Sequence, residues 1–204
     1  MHSKKWLKEY YLNNKQDVLM VVSLILIGII IGAGVYVFSG NEVKTIAINY
    51  VKEVFEISKS ETYVKTNIVL NGIKADIILI FILSFFTFTL FGKYLIYFVM
   101  LLKGIAISIY TAILVNIFGA LWGSLVVFML VVLVNILYLP ALIYITVAFL
   151  EVNFNLFKTR INSINTVNIT KVIFTVIVGF IVMFSSTIVE QIVSSIVLNI
   201  YGKI

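Results

Sequence analysis

The chain contains no cysteine, one proline and one histidine, and only 12% of its 204 residues are charged. Each shortage excludes something. Without cysteine there is neither a disulfide framework nor a thiol metal site, in whatever compartment the chain resides. The single histidine, His2, lies at the N-terminus, which leaves no histidine–acid cluster to hold a catalytic metal. The charged fraction is about half the roughly 25% of a water-soluble domain. Apolar residues fill the space: 62% of the chain is hydrophobic and the mean hydropathy is +1.14. These proportions describe an all-α polytopic membrane protein of one bundle and exclude a water-soluble enzyme.

Five apolar stretches read as transmembrane helices. The first is Val18 to Phe38, behind a basic tail over 1–17 that carries Lys4, Lys5, Lys8 and Lys15. It is too long for the apolar core of a cleaved signal peptide, so it reads as a span. The second is Ile77 to Phe91, extending back to Ile73. The others are Tyr94 to Phe118, Ser124 to Leu150 and Val172 to Ile200. Gly92-Lys93 and Gly119 to Gly123 read as the tight turns that separate spans two, three and four.

The formal net charge of +6 would suggest an anionic partner if the basic residues shared a face. They are scattered over tails and loops instead, where they set membrane orientation, and no nucleic-acid partner is expected. Their distribution predicts an N-terminus inside the cell and a C-terminus outside. Residues 39–72 then form an outer loop. In it Val43, Ile46, Tyr50, Val54 and Ile57 recur at steps of three and four, with Lys and Glu opposite. That spacing predicts an amphipathic helix. It either lies on the bilayer or bundle, or presents Tyr50, Val54 and Ile57 to a protein partner.

Nothing in the chain forms a catalytic set, and no glycine loop cradles a phosphate, so neither enzyme activity nor a cofactor is expected. Ser185, Ser186, Ser194 and Ser195 have no accompanying base, and an Asn-Ile-Thr acceptor pattern at Asn168 falls in an expected cytoplasmic loop. Gly28 and Gly32 in the first span, and Gly104 with Ser108 and Ala112 in the third, are small-residue stripes that let helices approach closely. Either stripe can face its own bundle or another protein, so a homo-oligomer stays open.

Two ionisable residues stand inside spans, Lys103 and Glu190, and such residues are functional candidates in a membrane. Counted from the cytoplasmic ends they lie roughly 13 Å and 27 Å deep. Direct pairing is therefore disfavoured. Lys103 is expected to snorkel toward the headgroups or to be locally solvated, and Glu190 to be solvated near the outer face. Asn116, Asn135 and Pro140 add only uncharged stations to any relay.

The order of motifs is more specific than any one of them. "LLKG" (Leu101–Gly104) precedes "LVNIFG" (Leu114–Gly119) and "NILYLPA" (Asn135–Ala141). Upstream stand "IGIIIGAG" in the first span and "LNGIK" entering the second. Over Tyr10 to Asn199 the chain resembles the stage II sporulation protein M family. That resemblance implies a five-span, non-catalytic protein of the bacterial cell membrane. It would anchor two peptidoglycan hydrolases, a lytic transglycosylase and an amidase, at the mother-cell septum during endospore engulfment. The wider family also has members tied to secretion of, or immunity to, circular bacteriocins. The alternative it implies is a transport or immunity subunit for a peptide or ion, working with a separate ATPase.

Overall fold

The computed structural model describes residues 14–59, 62–158, 173, 174, 176–189 and 193, with side chains described except at 54–59, 62–69, 71 and 158. Every element among the described residues is helical: α1 (Lys15–Phe38), α2 (Asn41–Lys59), α3 (Thr62–Thr87), α4 (Gly92–Phe118), α5 (Ala120–Val127), a π-helical turn (Phe128–Val132) and α6 (Leu133–Lys158). A shorter apolar helix, α7 (Val176–Val189), follows. Among the described residues three helices are long and apolar enough to cross a membrane: Lys15–Phe38, Gly92–Phe118 and the continuous stretch Ala120–Phe157. The last has 38 residues, roughly 57 Å at 1.5 Å per residue. That is well beyond a hydrocarbon core of about 30 Å, more than an untilted span needs.

The turns sit where the backbone allows them, which differs in two places from the expectation. The α3–α4 turn occupies residues 88–91, held by Phe88 and Thr89 N–H groups donating to Phe85 and Phe86 carbonyls. Gly92 is already the first residue of α4. It is glycine because a Cβ there would collide with the Phe86 carbonyl oxygen. Between α4 and α5 the turn contracts to Gly119, whose φ of +76° suits glycine alone. Gly123 is helical, and a Cβ on it would stand 2.7 Å from Val115 Cα, so this hairpin closes by near backbone contact.

Contacts fix the helix directions. Asp17 near the start of α1 pairs with Lys93 near the start of α4 at 3.2 Å, and Tyr36 near the end of α1 meets Asn116 near the end of α4 at 3.0 Å. These two helices are therefore parallel. Their interface is the most extensive in the bundle. In α1 its buried residues are Val21, Ile25, Gly28 and Gly32, spaced four, three and four apart on one face. A Cβ on Gly28 would strike the Leu101 carbonyl, and one on Gly104 the Ile25 carbonyl. Gly32 meets the Ser108 side chain and Ile105 backbone in the same way. Gly34 has open space around it, so the glycine-rich run splits into two packing residues and one that faces away.

α3 runs antiparallel to α4 and parallel to α6, with Asn153 of α6 donating to the carbonyls of Thr87 and Thr89 at 2.8 and 3.0 Å. The main core joins α1, α3, α4, α6 and α7 through Val21, Leu83, Met100, Leu142, Ile145 and Met183. A smaller core of Leu114, Val126, Leu130 and Val131 lies near the α4–α5 turn, and Val51 of α2 packs on it. The amphipathic segment is thus a helix seated on the bundle end where α1 and α4 finish. Outward-facing Leu26, Ile30, Phe81, Phe85 and Leu121 are exposed, as residues facing lipid must be when no water drives them inward.

A polar pocket inside the bundle

Polar side chains gather on the flank of α4 next to the glycine seam. Eleven residues separate Asp76 from Thr87 at the end of α3, and eleven separate Gly92 at the start of α4 from Lys103. In an antiparallel hairpin those positions share a depth, about 16 Å from the turn. Asp76 is 8% exposed. Tyr138 Oη donates to its Oδ1 at 2.9 Å, and Thr187 Oγ1 donates to its Oδ2 at 3.1 Å. The Lys103 ammonium stands 4.5 Å from the centre of the Tyr138 ring. One tyrosine therefore links the carboxylate, through its hydroxyl, to the cation, through its ring face. A partly exposed cation–π contact of this kind contributes about 1 kcal/mol.

The backbone of α5–α6 carries a π turn beside the pocket. Leu133 N–H donates to the Phe128 carbonyl, five residues back, so the helix is locally widened, a feature that concentrates at functional sites. Asn135 follows this π turn and ties back to it, Nδ2 to the Val131 carbonyl at 2.7 Å. Val131, Asn135 and Tyr138 then line one wall of a cavity of about 290 Å³. Asp76 and Lys103 form its charged floor, with Thr187 beside them and Ala75, Ala106 and Val134 as apolar wall. From Lys103 the lining continues along α4 to Tyr110, toward the end where α2 sits.

The Lys103 head lies over the Tyr138 ring. A third ionisable residue, Asp76, joins Lys103 and Glu190 in the apolar stretches. Glu190 lies outside the described residues, as do the side chains of Val54 and Ile57. Asn116 and Asn135 are placed apart, Asn116 in the α1–α4 contact and Asn135 at the pocket. Pro140 sits inside α6, where it removes one backbone donor. Gly28, Gly32 and Gly104 form the seam and are not part of the pocket.

At the far end Asp17 accepts from both Lys93 and Tyr97, the latter at 2.8 Å, closing the start of the α1–α4 pair. Among the described residues no group of three His, Cys, Asp or Glu side chains is placed to hold a metal ion. Comparison with protein-family models, with curated proteins and with solved structures gives no match for this chain.

Proposed function

We propose that this chain is a five-span, non-catalytic membrane scaffold that holds peptidoglycan hydrolases at the septal membrane during endospore engulfment. Its N-terminus lies inside the cell and its C-terminus outside. The alternating helix directions support the succession of five spans. α1 and α4 run one way and α3 and α5–α6 the other, and α7 lies antiparallel to α6 through Ser186 Oγ on the Val134 carbonyl and Gly179 against Ile145. The partners are the lytic transglycosylase and amidase that the family resemblance implies.

The observation that carries the scaffold reading is the face of α2. Val51 packs on the small core, and Lys44 donates to the Val37 carbonyl at 3.0 Å, so the helix is held in place. Val43, Ile46 and Tyr50 are nevertheless 59%, 70% and 68% exposed. A held helix that presents an apolar stripe suits a helix-binding partner, as it also suits the bilayer surface. Deleting the gene in its host and imaging membrane migration around the forespore tests the reading. Arrested flat septa support it; normal engulfment contradicts it.

The polar pocket favours a second reading, a transport subunit for a peptide or ion that works with a separate ATPase. On that reading, neutralising Lys103 abolishes transport while the protein still inserts and folds.

A further inference from the structure

The exposed stripe of α2 has an acidic border on one side. At about 100° per residue, Val43, Ile46 and Tyr50 fall within an arc of about 60°, and Glu42, Asn49 and Glu53 within about 40° directly beside it. All six are exposed. The lysines of these turns stand elsewhere. Lys44 donates to the Val37 carbonyl at 3.0 Å, and Lys52 lies about 150° from the middle of the stripe. Among the described residues neither Glu42 nor Glu53 has an ion-pair partner. The other side of the stripe turns toward the bundle, where Val51 packs on the small core.

We propose that α2 docks a cationic amphipathic helix, which lays its apolar face on Val43, Ile46 and Tyr50 and sets Lys or Arg beside Glu42 and Glu53. The proposal deepens the scaffold reading and rests on it: the docked helix belongs to the recruited protein. Charge decides among the occupants that an apolar stripe could take. A helix lying on a bilayer carries Lys and Arg along its polar face, where they meet anionic headgroups. α2 sets carboxylates at that border instead. A second copy of the chain fails on the same ground. When identical helices pair antiparallel about a two-fold axis, each border meets its own copy, so acid would face acid. A cationic helix turns the same two carboxylates into attraction.

The absence of cysteine makes a direct test available. The full chain carrying Asn49→Cys, labelled with an environment-sensitive fluorophore, is reconstituted in phosphatidylcholine nanodiscs. The probes are two synthetic helical peptides with the same leucine face, one with lysine and one with glutamate on the polar face. At low salt the lysine peptide should bind about ten-fold tighter, and the ratio should shrink as salt is added. Glu42→Lys combined with Glu53→Lys should reverse the preference, with the melting temperature confirming folding. If that pair fails to fold, Glu53→Lys alone carries the comparison. Equal affinity for the two peptides, binding of neither, or a preference that survives charge reversal would overturn the proposal. So would a fluorophore already in an apolar setting before peptide is added, which marks lipid as the occupant. Disulfide-linked dimers of unlabelled Asn49→Cys would overturn it too, by marking a second copy.

Localisation of the hydrolase in sporulating cells separates this proposal from the scaffold reading. Glu42→Lys with Glu53→Lys should disperse the hydrolase as Tyr50→Asp does. Foci kept under charge reversal but lost with Tyr50→Asp sink the proposal and leave the scaffold standing. Foci kept in both remove the scaffold reading, and the proposal with it.

Discussion

Lys103 and Gly104 are neighbours on α4, and they face opposite solutions to the same problem. On the Gly104 side two helices meet through backbone, with Gly28 and Gly104 close enough that neither admits a Cβ. On the Lys103 side the helices stand apart around a cavity, and polar groups satisfy one another across it. Association in lipid gains nothing from excluding water, so it rests on close van der Waals packing or on hydrogen bonds between helices. α4 uses packing on one flank and bonding on the other. The packed flank fixes the fold, and the bonded flank leaves space that a ligand can enter.

The contrast between the flanks breaks hardest at the seam. Gly104→Leu drives a branched side chain into the Ile25 carbonyl, and Gly28 on the facing helix closes the way around it. It should separate α1 from α4 at a cost above the roughly 1–3 kcal/mol of ordinary overpacking, read as loss of folded protein after detergent extraction. Gly34→Ala, two residues beyond the packing pair and with open space around it, should leave extraction and melting temperature unchanged. If both variants behave alike, the seam is not where the structure places it.

The bonded flank is next. Asp76→Ala removes one acceptor from Tyr138 and one from Thr187, which keeps the Met183 carbonyl, and losing hydrogen bonds to a charged group costs about 1.5–3 kcal/mol. A lower melting temperature is expected, with Asp76→Asn recovering much of the loss because an amide oxygen still accepts. Asn153→Ala should be milder. It leaves the Thr87 and Thr89 carbonyls short of one donor each near a turn, at about 1 kcal/mol. Smallest is Lys93→Met. Its ion pair with Asp17 is partly exposed, and such pairs contribute about 0–1 kcal/mol. Tyr97 still donates to Asp17, so only a marginal shift in melting temperature is expected.

Much of this architecture is legible in the residues. The apolar runs locate α1, α4 and α5–α6, and the three-and-four spacing of Val43, Ile46 and Tyr50 locates α2, whereas α3 begins at Thr62, inside the expected loop of residues 39–72, and ends at Thr87, short of the expected Phe91. The small-residue stripes of α1 and α4 mark surfaces of close approach, though their pairing with each other needs the fold. Turn positions shift by a few residues because glycine at 92 and 123 reads as a breaker, whereas here it serves helix packing. The pocket is the instructive omission. Asp76 sits beside the polar end of a span, where a carboxylate reads as solvated, which leaves Glu190 as the one intramembrane acid to weigh against Lys103. The signal is nevertheless present: a tight turn at 88–91 makes the hairpin symmetric, and symmetry puts 76 level with 103. Tyr138 and Thr187 have no such signal. A tyrosine in "NILYLPA" reads as core, and Thr187 reaches Asp76 only through the packing of α7.

Neither flank of α4 includes Val43, Ile46 or Tyr50, and this separation underlies the central claim that recruitment is carried by α2. The most direct measurement is septal localisation of a fluorescent hydrolase in sporulating cells carrying Tyr50→Asp or Lys103→Met, with protein levels matched. The scaffold account predicts diffuse hydrolase with Tyr50→Asp and normal septal foci with Lys103→Met. Foci retained in Tyr50→Asp cells and lost in Lys103→Met cells would contradict it and move the function into the pocket.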